Sequence, residues 1–283
     1  MDRYSKNGYN VLEYNFRSLH DFTKYISETP VSRHFRLRDH KSMEEDAKVP
    51  IDYDRAIYYC NNGCNVNFTN LLCLKKKIDT TLLFPSIKTE VKRDIVGICP
   101  SVPDYLTGNP MSMWNIKNNP EYRCIEICVN LACDCQTTQE QLFARGIFVQ
   151  SLIDALQYKG YGVSLNAFHA STFRDEMLIA YFGLKNANER LNVRKTYFPL
   201  CDLAFMRRLI FRLIEVAPLK NSWAYNYGVP ANRRLIESFI QMPEKRLIIP
   251  EPDEIGIMGK DINKDLDVFL KYIQFDKFVE KVK

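Results

Sequence analysis

The sequence predicts an α/β protein: a mostly parallel sheet flanked by helices, preceded by an irregular, mainly helical N-terminal part. Three observations lead there. Beyond residue 120, short runs rich in β-branched and aromatic residues alternate with segments of helical period, the pattern of strands joined by crossover helices. Before residue 120, apolar residues recur at helical spacing in short bursts. Between the two, Pro100, Pro103, Pro110 and Pro120, with Gly97 and Gly108, punctuate residues 94–120, which read as a crossover loop. The expected division is therefore 1–120 and 121–283.

In order, the chain starts with a strand over Val11–Phe16 and a helix after Ser18, with Leu19, Phe22 and Ile26 on one face and Pro30 past its end. A polar, basic stretch follows at 31–41. Short helices are expected at 42–48, 53–61 and 65–77, the last closed by Lys75, Lys76 and Lys77, which suit a helix C-terminus. RCIEICVNL (123–131) is a strand, and Thr138 with Gln141 forms a capping box opening a helix that runs to about Tyr158. Gly160 stops it. Strands at 161–170 and 176–185 pair through a short turn; helices are expected at 202–215, 232–241 and 264–280, with a short strand at 246–250.

Of the 283 residues, 46% are hydrophobic and 26% charged, which excludes disorder, collagen and coiled coil. No run approaches the roughly 18 apolar residues of a membrane span, and the polar start MDRYSKNGYN is not that of a signal peptide. A cytosolic protein is expected, with its nine cysteines as free, buried thiols.

Asn130-Leu-Ala-Cys-Asp-Cys135 leaves the first strand of the α/β part where such sheets bind ligands. The placement resembles the metal loop of von Willebrand factor A-type domains, Asp-x-Ser-x-Ser, with Asn130, Ala132 and Asp134 at the corresponding positions. A divalent ion wants hard oxygen ligands, so Asn130 and Asp134 are weak metal candidates and a degenerate loop is the favoured reading. Cys124 and Cys128 stand about 13 Å apart along one strand, too far for one zinc ion. His169 ends a strand near Ser171 and Thr172, and reads as structural. No motif for catalysis or for a small-molecule cofactor is found.

The basic segments are the better lead, since the net charge of +5 is unevenly spread. Arg33, Phe35, Arg36, Arg38 and Lys41 interleave cation and aromatic, as a surface that stacks bases and contacts phosphates would. Arg207, Arg208 and Arg212 lie on one predicted helix, and Arg233 and Arg234 open the next. Residues 190–234 carry nine basic side chains against Asp202 and Glu215. A polyanion such as RNA is the partner this pattern suggests.

Two segments, DIVGICPSVPDYLTGNPMSM (94–113) and FMRRLIFRLIEVAP (205–218), together with the opening strand and helix at 13–30, resemble an uncharacterised family of bacteriophage and prophage proteins with a von Willebrand A-like or Rossmann-like α/β core. Ala132 and Asp134 depart from that family's Asn-x-Ser-x-Ser. The resemblance implies a phage accessory protein in the host bacterial cytoplasm. Combined with the basic segments, it leads to the expectation of a non-enzymatic protein that binds RNA or a host ribonucleoprotein, blocking a nucleic-acid-guided defence complex in the manner of an anti-CRISPR protein. A virion or assembly component is the alternative, and a metal-dependent hydrolase or nuclease a second.

Overall fold

The computed structural model describes residues 1–33, 35, 42–43, 48–65, 90–97, 99–117, 124–220, 227–239 and 246–274. Nearly all of the helix expected at 65–77, most of that at 42–48 and the end of that at 264–280 fall outside these residues.

In order, the elements are β1 (Asp2–Lys6), β2 (Tyr9–Phe16), α1 (Leu19–Glu28), α2 (Tyr53–Asn62), β3 (Glu90–Asp94), β4 (Cys99–Pro100), α3 (Val102–Leu106), β5 (Met113–Lys117), β6 (Cys124–Asn130), α4 (Gln139–Tyr158), β7 (Gly162–Phe173), β8 (Glu176–Lys185) and α5 (Val193–Cys201). A π-helical stretch, Phe205–Ile210, then runs into α6 (Phe211–Val216), followed by β9 (Val229–Pro230), α7 (Arg233–Phe239), β10 (Arg246–Ile249), α8 (Pro252–Ile255) and α9 (Ile262–Tyr272).

The central sheet has seven strands in the order β1-β2-β8-β7-β6-β10, with β9 added to β7. It is α/β and helix-flanked as expected, but mixed. Parallel pairs are β2/β8, β7/β6 and β6/β10, whereas β1/β2, β8/β7 and β7/β9 are antiparallel. The reason is turn length. Arg174 and Asp175 alone connect β7 to β8, and Asn7-Gly8 alone connects β1 to β2, which permits only hairpins. The sheet also reaches outside 121–283, because β2 lies beside β8 from Asn10↔Glu176 to Phe16↔Phe182.

Residues 94–120 were expected as a loop. They instead supply most of a separate antiparallel sheet, β3-β5-β4, with α3 between its strands. Gly97 is needed there: a Cβ would sit 2.3 Å from the Trp114 carbonyl oxygen.

Strand alternation divides the central sheet's apolar residues between two faces. Ile125, Ile127 and Val129 of β6, and Leu178, Ala180 and Phe182 of β8, join a large core with α1, α2, α4, α5 and α6. Cys128, Met177 and Ile179 point to a smaller one closed by Ile236 and Phe239 of α7. Helix α4 carries the expected capping box and is buried on nearly all sides, because it packs between the sheet and α5. At its crossing with α5, Gly146 brings the backbones together; a Cβ would meet Cys201 Sγ at 2.2 Å. The helix expected at 202–215 is preceded by α5, a helix that the sequence pattern does not announce. The eight described cysteines are free thiols; Cys99, Cys124 and Cys135 are exposed and the other five buried.

A buried polar hub stitches the N-terminal part to this body. Glu215, fully buried, accepts from Ser42 N (3.2 Å) and Oγ (2.6 Å), from Tyr227 OH (2.8 Å) and from Arg212 Nη1 (3.3 Å). Arg208, 3% exposed, donates to the carbonyls of Ile51 (2.7 Å) and Val49 (3.1 Å), and Arg212 to that of Ile26 (3.3 Å). Removing one partner of such a buried ionic group costs about 3–5 kcal/mol. Glu215→Ala should therefore lower the unfolding free energy by about that amount, read as a shifted denaturant midpoint at unchanged slope.

Candidate functional site

Strand β6 ends at Asn130, opposite Phe168 of β7, but β7 continues to Phe173, and β9 pairs with it at Ser171 and Thr172. The chain leaves β6 sideways through residues 131–137, so a gap opens between that turn and β9. A cleft of about 440 Å³ occupies it, at the carboxyl edge where α/β sheets collect ligands. His169 and Ser171, on one face of β7, line it from the sheet. Met206, Arg207 and Phe211 line it from the π-helical stretch and α6, and residues 227–230, Lys48 and Cys133–Cys135 complete it. Wide π-helical turns recur at functional sites because they re-aim side chains, here Arg207.

The aromatic wall is closely packed. Phe211 and Tyr227 stack at 3.9 Å between centroids and 18° between planes, and Phe35 packs on Tyr227 at 5.6 Å. The Arg207 guanidinium lies over Phe211 at 5.7 Å. Lys48 Nζ donates to the Cys135 carbonyl at 3.3 Å. Asp134 is held below the usual carboxylate range by hydrogen bonds from the Cys135 thiol and the Gln136 N–H, and the same contact raises the Cys135 thiol. Burial pushes the Cys133 thiol up to about 12, so it is inert as a nucleophile at neutral pH.

His169 is buried. Its Nε2 lies 3.1 Å from Ser171 Oγ, and its Nδ1 has no hydrogen-bond partner among the described residues. Burial lowers its pKa to about 4, which keeps the ring neutral at neutral pH.

The metal candidates do not converge. Asn130 Oδ1 accepts from Ala132 N (3.0 Å), and Asp134 is exposed, with Oδ1 accepting from Gln136 N (3.2 Å). Across the strand ends, Asp253 accepts from Thr137 Oγ1 and Gln141 Nε2, both at 2.7 Å. Beneath them Arg145, 1% exposed, donates from Nη1 to the carbonyls of Asn130 (2.7 Å) and Pro250 (3.1 Å). A committed oxygen set beside a buried guanidinium does not fit a divalent ion. No group of three or more His, Cys, Asp or Glu able to hold a metal occurs among the described residues.

Among the described residues, only Arg207 of the expected partner-binding set lines the cleft. Phe35 packs behind Tyr227 and is not on the cleft lining, and Arg208 and Arg212 are committed to the hub. Arg233 pairs with Glu237 (2.6 Å) and Tyr272 (2.7 Å). Arg33 and Arg234 are exposed elsewhere on the surface, and Arg36, Arg38 and Lys41 lie outside the described residues. Lys48 and Tyr227 were not anticipated, since no spacing links either to β6 or β7.

These features define an α/β protein with an aromatic-walled cleft, lined by two cations, at the carboxyl edge of its sheet. The chain belongs to the family described as a domain of unknown function (DUF7192), whose model matches residues 3–277. No curated protein and no solved structure matches it. Among the described residues no helix is long and apolar enough to cross a membrane.

His169 makes stability pH-dependent. Its pKa is about 4 in the folded chain, against about 6.5 for an unperturbed histidine, so between these values the unfolded state binds the extra proton. Its contribution is present above pH 6.5 and is lost as pH falls toward 4, by up to about 1.4 kcal/mol per pH unit. Urea unfolding at pH 7 and pH 5 should show a smaller loss of stability for His169→Gln than for the parent.

Proposed function

We propose that the protein is a phage-encoded, non-enzymatic binding protein that engages RNA, free or as the exposed RNA of a host ribonucleoprotein such as a CRISPR-type defence complex in the host cytoplasm. The observation that carries this reading is the cleft, where Lys48 and Arg207 stand beside stacked aromatic rings. Cations beside aromatic and guanidinium planes are what single-stranded RNA requires, charge for phosphate and flat surfaces for bases. A von Willebrand A-like core is part of the proposal. It is supported by the run β6-α4-β7-β8, with β8 antiparallel to β7, and by β10 parallel to β6 on its other side. Arg33 and Arg234 remain as outlying cations.

Fluorescence anisotropy with a labelled single-stranded RNA tests the reading. The double variant Lys48→Ala/Arg207→Ala should bind more weakly, and its affinity should fall less steeply with salt, by about 0.7 in log–log slope for each phosphate no longer neutralised. Unchanged affinity and slope overturn the assignment.

An assembly component is the second reading, favoured by the apolar surface of the small sheet. Ile95, Val96, Tyr105 and Leu106 are 66–78% exposed there, and exposed apolar residues grouped on one element can mark a contact surface. If copies of the chain meet through it, light scattering should show an oligomer that Tyr105→Ser/Leu106→Ser reduces to a monomer. A monomeric parent chain argues against self-assembly through this surface.

A further inference from the structure

Resting on the RNA-binding reading, we propose that the cleft is a subsite for a single unstacked nucleotide, with the phosphate at Lys48 and Arg207 and the base edge read by Ser171, His169 and Asp134. Three observations point there. The cleft's volume of about 440 Å³ falls in the range that holds one small ligand, and it lies at the strand ends where α/β sheets collect ligands. Its wall is preorganised: Tyr227 backs Phe211, and Arg207 lies over the same ring, offering its guanidinium to a base. The third is the unmet hydrogen-bonding capacity of His169. The ring lines the cleft while its Nδ1 is sealed from solvent with no partner among the described residues, so a turn of the ring toward the cleft would let a ligand supply the missing bond.

The chemistry sets a preference among bases. A neutral imidazole has one donor and one acceptor nitrogen, so the direction of the hydroxyl bond between Ser171 and Nε2 decides which role Nδ1 takes. The pair adapts to either edge. Asp134, ionised, only accepts. It therefore favours guanine, whose N1–H and 2-amino group present two adjacent donors to one carboxylate, over bases that present a single donor there, and repels a second phosphate.

Calorimetric titration of the full chain with AMP, CMP, GMP and UMP, and with inorganic phosphate alone, tests this. It is run beside anisotropy with single-stranded RNA, on the parent chain, on His169→Gln and on Val229→Trp. Val229 is 58% exposed on the cleft lining, so tryptophan there obstructs the cleft without entering the core. Expected are binding of GMP ahead of AMP, CMP and UMP, and a loss of about tenfold or more in Val229→Trp at an unchanged melting temperature. RNA bound equally by parent and Val229→Trp overturns the subsite and leaves the RNA reading standing. Inorganic phosphate binding as tightly as the nucleotides overturns base recognition. A parent chain that binds no RNA overturns both.

Discussion

A carboxylate removed from water needs donors that replace its hydration, and at Glu215 they come from three parts of the chain. Ser42 gives its amide and hydroxyl, Tyr227 its phenol, and Arg212 its guanidinium. The next turn back repeats the arrangement with the sign reversed, as Arg208 donates to the carbonyls of Val49 and Ile51. Segments far apart in sequence are thereby fixed to one helix. The cleft depends on the same contact: Tyr227, held by Glu215, is the ring that backs Phe211, and Phe211 is the ring over which Arg207 lies. Loss of Glu215 would therefore loosen the fold and the cleft wall together.

This hub explains why, on the most basic helix of the chain, Arg208 and Arg212 look like a binding surface in the sequence and turn inward in the structure, while Arg207 beside them reaches the cleft. Spacing places Arg208 and Arg212 on one helical face and Glu215 near it, which is correct. It cannot say that the face turns inward, because the groups that demand those cations are carbonyls more than 150 residues away. Phe35 fails for the same reason, its partner being Tyr227. Local signals do better. The box of Thr138 and Gln141, the cap at Ser18, the stop at Gly160 and the strands on either side of Arg174 are set by neighbours within a few residues, and they stand where the sequence places them. Asn7-Gly8 is an equally local hairpin signal, and β1, which was not expected, is the strand it announces. The Pro/Gly-rich stretch from 94 suggests loop because its strands are so short.

The loop after β6 illustrates what a departure from a metal-binding pattern means physically. Asn130 gives its side-chain oxygen to Ala132, and Ala132 offers no ligand of its own. Meanwhile Arg145 brings a permanent positive charge to the ends of β6 and β10. Burial lowers its pKa to about 10, so it remains protonated at neutral pH, and its Nη1 bonds the carbonyls of both strand ends. A guanidinium fixed by the fold thus neutralises the partial charges of those strand ends and faces Glu251, whose carboxyl is raised by burial and by Asp253. The polarity of the edge is preserved, and its cation is covalently part of the chain.

The pairing of His169 with Ser171 invites a different interpretation, a nucleophile beside its base, and the chemistry argues against it. A base matched to serine needs a pKa near the working pH and a third group that orients its ring. Here burial holds His169 near pKa 4, and no described residue bonds its other nitrogen. Such a ring is a poor proton acceptor toward an alkoxide but a sound hydrogen-bonding partner, because it stays neutral across the physiological range. The features that disable proton transfer are those a recognition pocket wants: a fixed, uncharged donor–acceptor pair on a rigid strand, an aromatic wall, and cations lining the same cleft.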